Sequence, residues 1–196
     1  MIAHFAGYVV DILIQNSKIP VDDKELYQYG LEVGIAQIIG IASVFVLGLL
    51  FKMPIESICL LLCFMTLRTY AGGYHSSSHL ICYILSMIMN AAILLAGKFI
   101  SIYSLDYIGI ILAIIGIFLL IWLAPVEDRN KPMDEVEKTV FRKRAMRYLL
   151  IWLLVTAALL FTPFRDIHII LCLCLFSMGL FAVCGVWKNH KLHRQS

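Results

Sequence analysis

The sequence predicts an all-α polytopic membrane protein with about six transmembrane helices and an N-terminal amphipathic interfacial helix. Three observations carry that reading. Of the 196 residues, 61% are apolar and only 15% charged, with a mean hydropathy of +0.88; a soluble domain is about 45–50% apolar and about 25% charged. The roughly 120 apolar positions are about what six spans of about 20 residues require. The cations, finally, divide unevenly between the connecting segments, as a membrane topology demands. A water-soluble globule would leave much of the apolar surplus wet, so that class is close to excluded. No mass remains for a second folded domain, and residues 1–196 read as one transmembrane domain.

Taken in order, residues 1–16 carry Ile2, Phe5, Ala6, Val9, Ile12 and Leu13 at helical spacing, with His4, Tyr8, Asp11 and Gln15 opposite. That pattern predicts a helix lying in the membrane interface or one packed against the bundle. It lacks the basic region and small-residue cleavage pattern of a signal peptide. Spans follow at about 31–51, 55–67, 80–97, 107–124, 148–161 and 167–187. Lys52 and Pro54 end the first, and the second and fifth are short enough to need flanking polar residues or tilt. The long connection before the fifth span places Asp134, Glu135 and Glu137 ahead of Lys138, Arg142, Lys143, Arg144 and Arg147. This order complements a helix dipole and predicts a cytoplasmic helix running into that span. Its basic end suits an acidic peptide tail or anionic lipid.

With six spans, one side of the membrane receives thirteen of the sixteen cations and the other only Lys52, Lys98 and Arg165. The thirteen-cation side is the cytoplasm. Both termini and the loop holding Arg68 therefore face inward. Positive-inside anchoring accounts for the net charge of +3, so no nucleic-acid partner is implied.

Five of the six cysteines, Cys59, Cys63, Cys172, Cys174 and Cys184, sit inside apolar runs, where a free thiol acts as a small hydrophobe. Cys82 differs, because it closes the most polar stretch of the embedded chain, Arg68-Thr-Tyr-Ala-Gly-Gly-Tyr-His75-Ser-Ser-Ser-His79-Leu-Ile-Cys82. Such groups between two apolar spans are costly against lipid and mark a functional site. A cysteine attacks as its thiolate and needs a nearby imidazole. On one continuous helix His75 and Cys82 would stand about 10.5 Å apart along the axis, beyond hydrogen-bond reach. His79, three residues before Cys82, would be its neighbour. Geometry thus favours His79 as base unless the backbone bends, which Gly72, Gly73 and the serines permit. His75, His79 and Cys82 could also line a zinc-compatible face. However, Ser76 stands where the HExxH motif requires glutamate, no fourth ligand is evident, and neither metal nor other cofactor is expected.

This run resembles the accessory gene regulator B family of Gram-positive bacteria, membrane cysteine endopeptidases that process quorum-sensing propeptides. The family's arginine, glycine pair, histidine and cysteine seven residues further on are matched by Arg68, Gly72, Gly73, His75 and Cys82. The later segment Ala-Pro-Val-Glu-Asp-Arg-Asn-Lys-Pro, residues 124–132, resembles the end of a span running into the family's basic loop. The resemblance makes His75 and Cys82 the catalytic pair, and with them a break from helix between the two. It implies cleavage of a short membrane-associated propeptide through a Cys82 thioester, resolved by cyclisation to a thiolactone or lactone. It also implies a homodimer in the cell membrane, with the site on the cytoplasmic side. Arg68 and the amides around Gly73 are candidate oxyanion donors, and Arg68 is equally suited to anchor a lipid headgroup. Glu32, Glu25, Asp22, Asp23 and Asp128 lie on the same side as candidate orienting carboxylates, whereas His168, His190 and His193 fall elsewhere. A transporter or a non-enzymatic, peptide-binding assembly factor is the competing class, but the span centres hold almost none of the ionisable groups a transporter needs.

Overall fold

The computed structural model describes residues 2–16, 20–73, 79–127 and 133–193, and these form helices joined by short connections. The helices are α1 (Ile2–Gln15), α2 (Lys24–Leu50), α3 (Pro54–Ala71), α4 (His79–Ile102), α5 (Asp106–Leu123), α6 (Glu135–Leu159) and α7 (Arg165–His193), with a 3-10 turn at Val21–Asp23. The chain divides into two compact units, Met1–Ser43 and Val44–Ser196, the division falling inside α2.

In the first unit α1 turns back toward the start of α2. Asp11, from the polar face read in the sequence, pairs with Lys24 at 2.6 Å. Gln28 donates to the Ala3 carbonyl at 3.5 Å and to Glu32 at 3.1 Å. Ala6 and Val10 are buried while Phe5, Tyr8 and Ile12 stay exposed.

The second unit is organised around α7, whose span is 72% buried against 11–28% for the other four candidate spans. Its apolar run has no lipid-facing stripe at 169–175 because neighbours cover it all round. Leu60, Cys63, Leu67 and Ala71 of α3, Ile93 and Leu94 of α4, Ala113 and Leu120 of α5, and Leu149 of α6 share one core with it. The closest approach is to α5, where Gly116 meets Gly179 and a side chain on Gly116 would strike the backbone of Leu175 and Phe176. Lipid tails are as apolar as leucine, so helices in a bilayer gain most from such backbone proximity.

The unit's two ends differ. At one end, α2 and α4 each stop in a Schellman pattern: Met53 N bonds Gly48 O at 2.7 Å, and Leu105 N bonds Ile100 O at 3.0 Å. Lys52 (φ 59°) and Ser104 (φ 55°) take the left-handed positions. The Arg165 guanidinium forks onto Asp106 at 2.7 and 2.5 Å, and Ser101 donates to Asp166 at 2.5 Å. His168 Nδ1 meets the Thr156 carbonyl at 2.9 Å and its Nε2 lies 3.6 Å from Cys172 Sγ. A carbonyl can only accept, so Nδ1 carries the proton and Nε2 accepts from the Cys172 thiol. His168 thus serves the Thr156 carbonyl near the C-terminal end of α6, with Cys172 behind it.

Among the described residues, five helices are long and apolar enough to cross a membrane. The fifth apolar stretch read from the sequence falls mostly in the second half of α6, a single helix that starts at Glu135. Asp134 and Glu137 close a reciprocal capping box there. Its apolar part, residues 148–159, is only about 18 Å long, short of a bilayer core of about 30 Å. Protein contacts carry it: Trp152 Nε1 donates to Thr66 at 2.8 Å, and Tyr148 stacks on Tyr70 with ring centroids 5.1 Å apart.

If Gly116 and Gly179 set the α5–α7 distance, Gly116→Ala costs about 1–3 kcal/mol through overpacking and lowers the detergent-solubilised melting temperature. Gly34→Ala, where an added methyl meets nothing within 4 Å, leaves it unchanged or raised. Equal melting of Gly116→Ala and the parent would refute the close crossing.

Candidate active site

The helical part of α3 ends where its sequence leaves the apolar pattern. Gly72 caps it at φ 69°, with its N–H on the Arg68 carbonyl at 3.3 Å, and Gly73 follows at φ 124°. Both angles belong to the region that only glycine enters without strain. Space matters as much as angle. A side chain on Gly72 would collide with the Val126 carbonyl, and one on Gly73 with the Arg68 guanidinium and the Phe181 backbone.

The two sequence segments singled out above, far apart along the chain, are thereby brought together. Gly72 and Val126 form a parallel backbone bridge, and Val126 N donates to the Ala71 carbonyl at 2.9 Å. Residues 124–127 leave α5 after a cis Ala124–Pro125 peptide and lie across the end of α3, with Ala124 and Val126 buried. Three side chains hold this segment. Arg142 donates to the carbonyls of Ala124 at 2.8 Å and Ile121 at 3.1 Å. Asn189 donates to the Glu127 carbonyl at 2.8 Å. Lys138 pairs with Glu127 at 2.8 Å and Glu135 at 3.1 Å.

Hydrogen bonds from Lys138 to Glu127 and Glu135 push its ammonium above the ordinary lysine value. A raised lysine adds stability that is fully present below the unfolded value of about 10.4 and lost as pH rises through the folded one. The clamp is therefore constant around neutrality.

Arg68 is turned inward. Its Nη1 donates to the Gly72 carbonyl at 3.1 Å, and its guanidinium lies 4.9 Å above the Phe181 ring. Through these contacts it braces the glycine turn. Arg144 occupies a comparable place 5.6 Å above the Tyr70 ring.

Cys82 sits half-buried in the first turn of α4, on the same turn as His79. At the other end of α4 Ser101 is fastened to Asp166, and 19 residues of helix span about 28 Å. Cys82 therefore stands at the end of the unit where α3 and α5 finish. His75, the expected base, lies outside the described residues, as do Asp128 and residues 76–78; of the stretch in which the break before Cys82 was expected, residues 79–82 are helical. The departure from helix that is described comes earlier, at Gly72 and Gly73. Glu25, Glu32, Asp22 and Asp23 all belong to the first unit. Sequence reasoning missed Arg142, Asn189, Phe181 and Glu127: a basic residue near an apolar span reads as an interface anchor, and nothing local reveals a carbonyl 18 residues away.

The accessory gene regulator B family profile matches residues 6–185. An AgrB-like protein of Clostridium perfringens (strain SM101) is 35% identical over 138 residues, which is 67% of this chain and 64% of that relative. Another from C. perfringens strain 13 is 34% identical over the same length. A Listeria monocytogenes relative, also named as AgrB-like, is 28% identical over 165 residues, 81% of this chain and 76% of its own. The chain thus spans about 64% of the length of the two Clostridium relatives. No solved structure matches. The family match covers nearly the whole chain, the motif segments join at one backbone bridge, and five helices have spanning length and apolarity; the chain is a multi-pass membrane protein belonging to the accessory gene regulator B family.

Proposed function

We propose that this protein is a membrane-embedded cysteine endopeptidase that removes the C-terminal tail of a short autoinducer propeptide and leaves the remainder cyclised. Family membership ties the chain to the accessory gene regulator system. The observation that carries the finer reading is the glycine turn: it ends α3 two residues before His75, while Cys82 opens α4 at the same end of the unit.

The reaction runs in two acyl transfers. His75 takes the Cys82 proton, and the thiolate attacks the scissile carbonyl carbon of the bound propeptide. The tetrahedral intermediate collapses as the C–N bond breaks, His75 protonates the leaving amine, and the tail departs with a new amino terminus. The N-terminal part stays on Cys82 as a thioester. A cysteine or serine side chain within the peptide then attacks that thioester, closing a thiolactone or lactone ring and returning the proton to Cys82. The N–H groups of a helix's first turn have no intrahelical partner, and those of α4 are the donors we assign to the oxyanion. Chemistry at the membrane surface favours cyclisation, because excluding water suppresses hydrolysis of the thioester. On the six-span reading of the sequence, thirteen of the sixteen cations share a side with the loop holding Arg68, which supports a cytoplasmic site with both termini inside, and a pair of copies in the cell membrane is consistent with the family reading.

The test is tail release from a short propeptide of this family, using the full-length protein in liposomes. Cys82→Ala abolishes release, and His75→Ala lowers it about 10²-fold or more, while His79→Ala retains most of it. Release that survives Cys82→Ala contradicts the mechanism; full activity in His75→Ala with loss in His79→Ala reassigns the base.

Gly73→Ala supplies a second prediction. It puts a side chain into the left-handed region against Arg68 and Phe181, a backbone cost of about 1–2 kcal/mol before any clash. Tail release falls at least tenfold, with the protein still extracted in folded form. An unchanged rate would show that the turn does not place the site.

A further inference from the structure

The turn before His75 does not hold itself. The Ala71 carbonyl is among the last of α3, where no intrahelical donor remains, and its partner is Val126 N at 2.9 Å. Whatever fixes Val126 therefore fixes the point from which the chain leaves for His75. Val126 belongs to the non-helical segment 124–127, and Arg142 of α6 fastens the start of that segment with both arms of its guanidinium, to Ala124 at 2.8 Å and Ile121 at 3.1 Å. Two carbonyls three residues apart suit a rigid planar fork, and the point charge of lysine does not reproduce that grip. Asn189 of α7 holds the far end through the Glu127 carbonyl at 2.8 Å.

We propose that Arg142 is a positioning residue for the Cys82 reaction, acting through segment 124–127 and the glycine turn on the placement of His75. The proposal rests on the reading of Cys82 as nucleophile and His75 as its base. Arg142 is exposed and belongs to a basic run, so its charge alone would be a generic membrane anchor. What distinguishes it from its neighbour Lys143 is the pair of carbonyls it holds.

The experiment measures alkylation of Cys82 by iodoacetamide at pH 7 in the full-length protein in liposomes, read on the Cys82 peptide by mass spectrometry. Arg142→Gln and His75→Ala are compared singly and together, with Lys143→Gln as the charge control. A thiol that loses its base reacts more slowly at neutral pH, whereas a merely loosened fold exposes it and speeds the reaction. The expected result is a slowing of roughly tenfold in His75→Ala, and of about three- to tenfold in Arg142→Gln, with no further slowing in the double variant. Arg142→Lys restores part of the rate, and Lys143→Gln matches the parent. Should Arg142→Gln fail to fold, Asn189→Ala loosens the other end of the segment and gives a smaller slowing that likewise vanishes in the His75→Ala background. An unchanged or faster rate in the folded variant, or equal slowing with and without His75, overturns the positioning role. No effect of His75→Ala in the parent overturns the His75–Cys82 reading itself.

Discussion

In a bilayer an unpaired peptide group has no water to turn to, so every interruption of a helix near the apolar layer must be completed by the protein itself. The bond from Val126 N to the Ala71 carbonyl, with the Gly72–Val126 bridge beside it, completes the interruption that matters most here. It lets α3 stop abruptly, gives the buried end of α5 somewhere to go, and sets two distant segments in register. No side chain fits at Gly72 or Gly73, where one would meet Val126 or Arg68 and Phe181, which is why the turn is made of two glycines, with Arg68 folded back to brace it.

The rest of the second unit supports that seam. The α7 helix runs through the middle, bringing Phe181 beneath Arg68 and Asn189 onto Glu127. Its depth of burial follows from the Gly116–Gly179 crossing, which pulls α5 close enough for the exit of α5 to reach the end of α3. The α6 helix is too short in its apolar part to span alone, yet its charged half supplies Lys138 and Arg142, and its inner half leans on Thr66 and Tyr70. The opposite end is closed by Asp106–Arg165 and Ser101–Asp166, so α4 has a fixed origin from which Cys82 is placed.

Much of this was legible in the sequence because hydropathy is local. The all-α class, the apolar N-terminal helix, and the polar stretch from Arg68 to Cys82 follow from composition and runs. The long connection ending in a helix follows from its acids preceding its bases. What sequence did not reveal is non-local. The run of α7 reads like any other span until its neighbours are known, and Arg142 reads as a membrane anchor until Ala124 and Ile121 are seen beneath it. Segment 68–82 stands out by its polarity and 124–132 through the family resemblance, but their meeting at Gly72 and Val126 is a property of the fold. The apolar run 148–161 and the charged stretch before it share one helix from Glu135, as the order of acids before bases anticipates.

The central claim is that the chemistry passes through Cys82 in a site framed by this seam. Intact-mass spectrometry of the protein, quenched in acid during turnover with its propeptide, tests that claim most directly. The account predicts a single adduct equal in mass to the propeptide less its tail, localised to Cys82 and released by neutral hydroxylamine as a thioester must be. Tail release with no such adduct, or an adduct on any of the other five cysteines, would contradict it.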